Sequence, residues 1–425
     1  MAQVQKIAIL GGGAGAMAAA WYLSSQPGWR ERYAITVYQQ GWRLGGKGAS
    51  GRNARLAQRI EEHGLHIWFG FYANAFAMMR AAYAELGRPV GAPLARWDEA
   101  FRPHDYVALM DEQGGAWQPW HLVLPRRDGE PGTGSEPVTP WAMALEAIRT
   151  LRRWHGALRT LAPGAAEGAP YDALLALAGA LPPDARDHTD RDRELLARAI
   201  DRIHAHLAAQ ASFAVAGGEL QRLLVALNIG ATVLRGMLAD GIFARGFSVA
   251  NDEDLRGWLA RHGGDMELCV NATPVRAMYD LLFAYVGGDP ARPNLEAGTA
   301  LRWALRMAFA YRGSVMYKMQ AGMGDAVFAP LYEVLARRGV RFSFFHRVEE
   351  IVPAAGGVAA LRFTVQAATK GGYRPLVNVK GLPCWPAAPD YAQLDPLQGA
   401  LMQEHHADLE SHWSDWPRLY REAFG

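Results

Sequence analysis

Residues 6–16 read KIAILGGGAGA, and the fold turns on them. A short apolar run with β-branched residues predicts a strand over 6–10. Gly11, Gly13 and Ala16 then match the G-x-G-x-x-G/A pattern, with Gly15 in the same turn. Gly11 permits the tight turn, Gly13 lets the backbone approach a pyrophosphate, and Ala16 lets helix and strand pack closely. The helix that follows, over 16–25, offers unpaired N–H groups and its positive dipole end to phosphates. Residues 33–38, YAITVY, form a second β-rich run. Strand, helix and strand in this order predict a buried parallel sheet. An acidic residue normally ends the second strand and holds the ribose. Here Gln39 stands in that place. Its amide can still hydrogen-bond a hydroxyl, without charge assistance.

Outward from this unit lies a glycine-dense loop, GWRLGGKGASGRN at 41–53, and a helix over 72–87 ended by Gly87 and Pro89. Residues 90–140 are rich in Pro, Trp and turn formers. Met143, Leu145, Ile148, Leu151 and Trp154 recur near helical spacing and predict an amphipathic helix over 141–161. Residues 163–172 read as a loop and 182–194 as a charged connection. Residues 194–245 and 298–312 read as apolar helices, and β character returns at 339–352 and 357–367. The segment 381–425 holds PCWPAAP and then DLESHWSDW, read as a polar helix.

Among 425 residues, Lys plus Arg number 44 and Asp plus Glu 42, a net charge of +2. That balance argues against a nucleic-acid protein, whose affinity needs a basic face. Half the residues are hydrophobic and 20% are charged, as in folded globular chains. Cys269 and Cys384 are too few for a disulfide framework or a Cys-based zinc site, and no metal is expected. MAQVQKIAIL runs straight into a strand, with no signal-peptide pattern, and no 18-residue window reads as a membrane span. The expectation is a cytoplasmic protein, with peripheral membrane contact left open.

Three stretches carry a resemblance. VYQQGWRLGGKGASGRN (37–53) resembles the R-x-G-G-[RK] loop of the flavin-containing amine oxidase and phytoene desaturase superfamily. EEHGLHIWFGFYANAF (61–76) is similar to the Gly-Leu-His-x-x-Phe-Gly-x-Tyr-x-Asn stretch of plant- and cyanobacterial-type carotenoid desaturases. YKMQAGMGDAVFAPLYEVLARRGVRFSFFHRVEEI (317–351) resembles the Gly-Met-Gly, helix, strand unit where such chains re-enter their FAD domain. The resemblance implies an α/β fold: a Rossmann-like FAD-binding domain with a parallel sheet, interleaved with a mostly α-helical substrate domain. The expected pieces are 1–90 and 313–380 for FAD, 91–312 for substrate, and 381–425 as the start of a further substrate-domain segment or a tail.

The resemblance also implies residue roles. Gly11, Gly13, Gly15 and Ala16 would face the pyrophosphate and Gln39 the adenosine ribose. Arg43, Gly45, Gly46 and Lys47 would lie along the pyrophosphate and ribityl chain. Gly64 and Leu65 would lie close to the isoalloxazine, and Val348 would hold the adenine edge through its backbone. His66, near the flavin, is a candidate catalytic residue or a packed histidine. Lys318, before the Met-Gln-Ala-Gly-Met-Gly turn, is a second candidate, or an edge residue that snorkels. The family's closing Gly-Asp pair is not found after residue 366, so a second chain completing the FAD site is one expectation. The implied activity is desaturase-type hydride abstraction from an apolar, isoprenoid-like substrate. A flavin amine or amino-acid oxidase and a non-catalytic FAD-binding subunit stand as alternatives.

Overall fold

A computed structural model describes residues 4–113, 115–134, 139–162, 168–210 and 218–424. The strands Gln5–Leu10 and Tyr33–Tyr38 pair in parallel, Ile7 opposite Ile35 and Ile9 opposite Val37. The helix Ala14–Ser24 connects them. A third parallel strand, Arg341–Ser343, lies on the far side of the second, Phe342 opposite Val37. Ile35 and Val37 are therefore central and fully buried, where β-branched side chains fit a covered sheet. The helices Ala14–Ser24, Ala73–Leu86 and Ala329–Arg337 pack around this core. The fold is mixed α/β with a Rossmann-like N-terminal unit.

An antiparallel hairpin, His346–Ala354 with Gly357–Val365, follows the third strand. The Tyr38 ring stacks on Phe363 at 4.5 Å and fixes the hairpin to the end of the second strand.

The middle of the chain is helical and has its own cores. Pro140–Leu161, Ala169–Ala180, Asp190–Gln210 and Gly218–Ala239 close around Trp141, Leu151, Leu196 and Leu227. Pro140 opens the first of these, and the Thr139 hydroxyl caps it by accepting from Ala142 N at 3.1 Å. A neighbouring core forms around Trp258 and Tyr279. The helix Gly218–Ala239, at a mean hydropathy of 1.4, is long and apolar enough to cross a membrane, a span the sequence reading did not find. Half of it is buried within the fold, as in the core helix of a bundle. Of the expected loop 163–172, residues 163–167 lie outside the described residues, and 169–172 form the first turn of the helix Ala169–Ala180 instead, opened by Pro170.

Two further local readings are corrected. Within 90–140, noted only for its Pro, Trp and turn formers and placed in the mostly helical domain, Tyr106–Gln113 and Ala116–Val123 form a hairpin. The stretch DLESHWSDW is a loop rather than a helix. Asp408 accepts from the backbone N–H of Glu410 at 2.8 Å and Ser411 at 3.1 Å. Those side-chain bonds offer the backbone an alternative to helix, which instead forms on either side, at Pro396–Glu404 and Trp416–Phe424. Trp385, Leu394, Met402, Leu409 and Trp416 pack into the same core as Ile9 and Val37.

Candidate functional site

The glycine turn is assembled against the loop 41–53. Gly11 takes φ +88°, a conformation that favours glycine. A Cβ on Gly12 would lie 2.3 Å from Leu44 Cδ2 and 2.7 Å from Gln39 Oε1. Leu44, fully buried, thus fills the space that Gly12 leaves. Gly45 N donates to Gly12 O at 2.9 Å, and Gly13 and Gly45 bridge in parallel. The two loops become one surface. Beside it, the helix Ala14–Ser24 starts from Gly13 with no side-chain cap and no acidic residue in its first turn. Cβ atoms built on Gly11 or Gly15 would meet nothing within 4 Å. An open space bounded by uncapped amides is what a pyrophosphate requires.

Gln39 is buried and its side-chain amide donates to the Gln40 carbonyl. Its backbone N–H donates to Ser343 O at 2.9 Å, and His346 N donates to Gln39 O at 2.9 Å. Val348 lies two residues further along, opposite Phe363 at a register shift in the hairpin. Arg43 is turned toward the C-terminal segment. Its Nη2 lies 2.6 Å from Glu410 Oε2 and its Nε lies 2.9 Å from Glu410 Oε1, a bidentate pair. The guanidinium lies over Trp42 at 5.2 Å. A Cβ on Gly51 would meet Arg43 Nη1 at 2.6 Å, so that glycine makes room for the pair.

His66 sits between two loops. Its Nε2 is 3.3 Å from the Lys47 carbonyl, and its Nδ1 is 3.3 Å from Glu62 Oε1 without hydrogen-bond alignment. Glu62 Oε1 accepts from Met323 N at 2.7 Å. Lys47 and Gly46 are exposed, Gly64 has nothing near it, and Leu65 is 73% exposed. Lys318 is exposed on the strand Met316–Met319, opposite Arg102. The structure thus brings together Gly11, Gly13, Gly15, Ala16, Gly45 and Gly46, with Gln39 alongside. It groups His66 with Lys47 and Glu62, and leaves Lys318 on an exposed strand face.

Sequence reading missed a buried anchor behind these loops. Asp325, 1% exposed, accepts from Arg52 Nε at 2.8 Å and pairs with its Nη2 at 2.7 Å. Burial pushes the Asp325 carboxyl above its ordinary value, against the Arg52 charge. The Cys384 thiol beside it is pushed up to about 12, chiefly by burial and then by Asp325. Ser50 Oγ accepts from Gly324 N at 2.7 Å, and Trp385 Nε1 donates to Gly324 O at 3.1 Å. A Cβ on Gly322 or Gly324 would strike Ser50 Oγ at 2.5 Å. The turn 322–325 is therefore clamped to the strand Ser50–Asn53. The signal available in the sequence was a lone Asp within an apolar stretch, GMGDAVFAPL.

Residues 9–82 match the NAD(P)-binding Rossmann-like domain family. No curated protein matches the chain. The match takes in the end of the first strand, the helix that follows, the second strand, the glycine loop 41–53 and His66. The chain thus carries a Rossmann-like dinucleotide-binding domain, of the kind that serves NAD(P) or FAD in oxidoreductases.

Proposed function

We propose that this chain is an FAD-dependent oxidoreductase that removes hydride from a C–H bond of a largely apolar substrate, as in desaturases. One observation carries the reading: the Gly11–Gly15 turn and the Gly45–Gly46 loop form one surface around an uncapped, open helix N-terminus. The residues fit a dinucleotide, since side chains are absent where phosphates need room. The second glycine loop, which resembles that of flavin enzymes, favours FAD over a nicotinamide cofactor. Bound FAD would supply the hydride acceptor.

The chain's own residues bind, orient and exclude water. Amides 14–16 would hold the pyrophosphate, and Gln39 would offer the ribose a neutral partner. His66, between Glu62 and the Lys47 carbonyl, can hold a proton at Nδ1 or Nε2, on the side where the resemblance would put the isoalloxazine. Phe69, Phe71 and Tyr72, three to six residues on in sequence, pack together as an aromatic cluster. The test is to purify the chain, denature it and identify the released cofactor by chromatography. FAD is expected at a stoichiometry near one. Release of NAD(P) alone, or failure of FAD to bind the emptied protein, overturns the reading.

A further inference from the structure

A cleft of about 570 Å³ opens between the start of the helix Ala73–Leu86 and the helix Ala297–Phe309. Phe71, Tyr72 and Asn74 line one side, and Arg302, Trp303 and Arg306 the other. Arg302 and Arg306 are four apart on one helix, where like charges repel. Among the described residues neither has a carboxylate partner. Arg306 lies over the Phe71 ring at 5.3 Å and donates to Phe71 O at 3.4 Å, while its Nε is buried without a partner. Burial first, and then the Arg302 charge, disfavours its protonated form. An anion in the cleft would relieve both costs.

Two further features point the same way. The helix Ala73–Leu86 begins at the cleft with no side-chain cap and no acidic residue in its first turn. Its free amides add positive potential to that of the arginines. Next to this charge stands an aromatic wall. Trp303, 45% exposed, meets Phe69 at 6.1 Å, Phe71 at 5.3 Å and Tyr72 at 6.0 Å, edge to face. A cleft with an electropositive end and an aromatic flank suits an amphipathic ligand.

We propose that this cleft binds an organic oxyanion, a carboxylate or phosphate on an apolar or aromatic body, through Arg302, Arg306 and Trp303. As the substrate pocket it rests on the oxidoreductase reading, because Phe69 lies only three residues from His66; as an anion site it stands on the cleft alone. The test is calorimetric titration of the full chain with 4-phenylbutyrate, phenyl phosphate, inorganic phosphate and the neutral 4-phenylbutanol. The aryl anions are expected to bind at least tenfold more tightly than the alcohol. Preference for 4-phenylbutyrate or for phenyl phosphate identifies the head group. R302Q is expected to weaken the anions tenfold or more, with R302K retaining most of the affinity. W303A is expected to weaken the aryl anions while leaving inorganic phosphate unchanged. Arg302 is exposed, so R302Q reads binding without disturbing the fold, which melting curves verify. Equal binding of the alcohol, unchanged binding by R302Q, or no binding by any anion overturns the proposal. Cofactor content, read from flavin absorbance on the same samples, separates the two ideas. Loaded protein that ignores anions defeats only this inference, and flavin-free protein that binds them defeats only the oxidoreductase reading.

Discussion

Replacing Gly15 by glutamate separates the stability of the glycine-loop helix from its use as a phosphate site. Gly15 is the second residue of the helix Ala14–Ser24, and a Cβ there meets nothing within 4 Å. The new side chain therefore enters open space. In the cofactor-free protein two effects stabilise it. Removing a helical glycine contributes about 0.5–1 kcal/mol. An acid in the first turn contributes about 0.3–1 kcal/mol through the helix dipole. Together, at about 0.8–2 kcal/mol, they raise the melting midpoint by about 1–2 °C in a chain of this length. In the loaded protein the same carboxylate faces two phosphate charges. At about 6 Å and an effective dielectric constant of about 40, each repulsion is about 1.4 kcal/mol. After salt screening, a net loss of about 2 kcal/mol, or about 30-fold in affinity, is expected. The assay is flavin titration of emptied protein, beside calorimetric melting, at low and high salt. G15A, which adds no charge, should bind within about threefold of the parent while sharing the helix-propensity gain. If G15E bound FAD as tightly as G15A, the phosphates would not lie at this helix end and the site as described would be wrong.

Three further outcomes follow from the packing. G12A places a methyl 2.3 Å from Leu44 Cδ2, an overpacking cost of about 1–3 kcal/mol in denaturant titration, and L44A in the same chain should recover part of it. R52A leaves Asp325 buried without its partner, so a loss of about 3–5 kcal/mol is expected; a loss under about 1 kcal/mol would show that the anchor is not structural. Asp240 is held at about 2 although burial raises it, because hydrogen bonds from Arg261, Trp258 and His262 outweigh that burial. Its folded value lies below its ordinary one, so its contribution is full above about pH 4 and lost as pH falls toward 2. About 2 kcal/mol should disappear over that window in urea titrations, and D240N should lack that share of the acid sensitivity.

The local part of this architecture is legible in the sequence. The strands at 5–10 and 33–38 and the helix between them follow from short-range pattern and turn chemistry, because each signal lies within a dozen residues. The hairpin Tyr106–Val123 was missed because its central positions carry Pro119 and three Trp or Tyr residues among polar ones, which blur the alternation. Gly115, in its turn, was the usable cue. The Arg52–Asp325 and Arg43–Glu410 pairs were beyond reach. Their members are 273 and 367 residues apart, and no periodicity links such distant charges. Arg43 shows the consequence: its neighbours in sequence suggested a phosphate, while its neighbour in space is a carboxylate. The pair Arg302 and Arg306 left a cue that went unused, since two like charges one helical turn apart call for a compensating anion.

The tie between Arg43 and Glu410 has a temporal side. Gln366 extends it, its side chain accepting from Gly41 N at 2.8 Å and donating to Leu409 O at 2.8 Å. Trp416 then donates to Gln366 O at 2.7 Å. The glycine turn leaves the ribosome well before the braces of its partner loop, which are made 367 residues after Arg43. At about 5–20 residues per second, that interval is roughly 20–70 s. Throughout it the first sheet also waits for its third strand, Arg341–Ser343. The dinucleotide cradle is encoded by one stretch of sequence and braced only by another, 367 residues further along. A nascent chain halted before Glu410 should therefore capture flavin poorly, and one carried past Trp416 should capture it well.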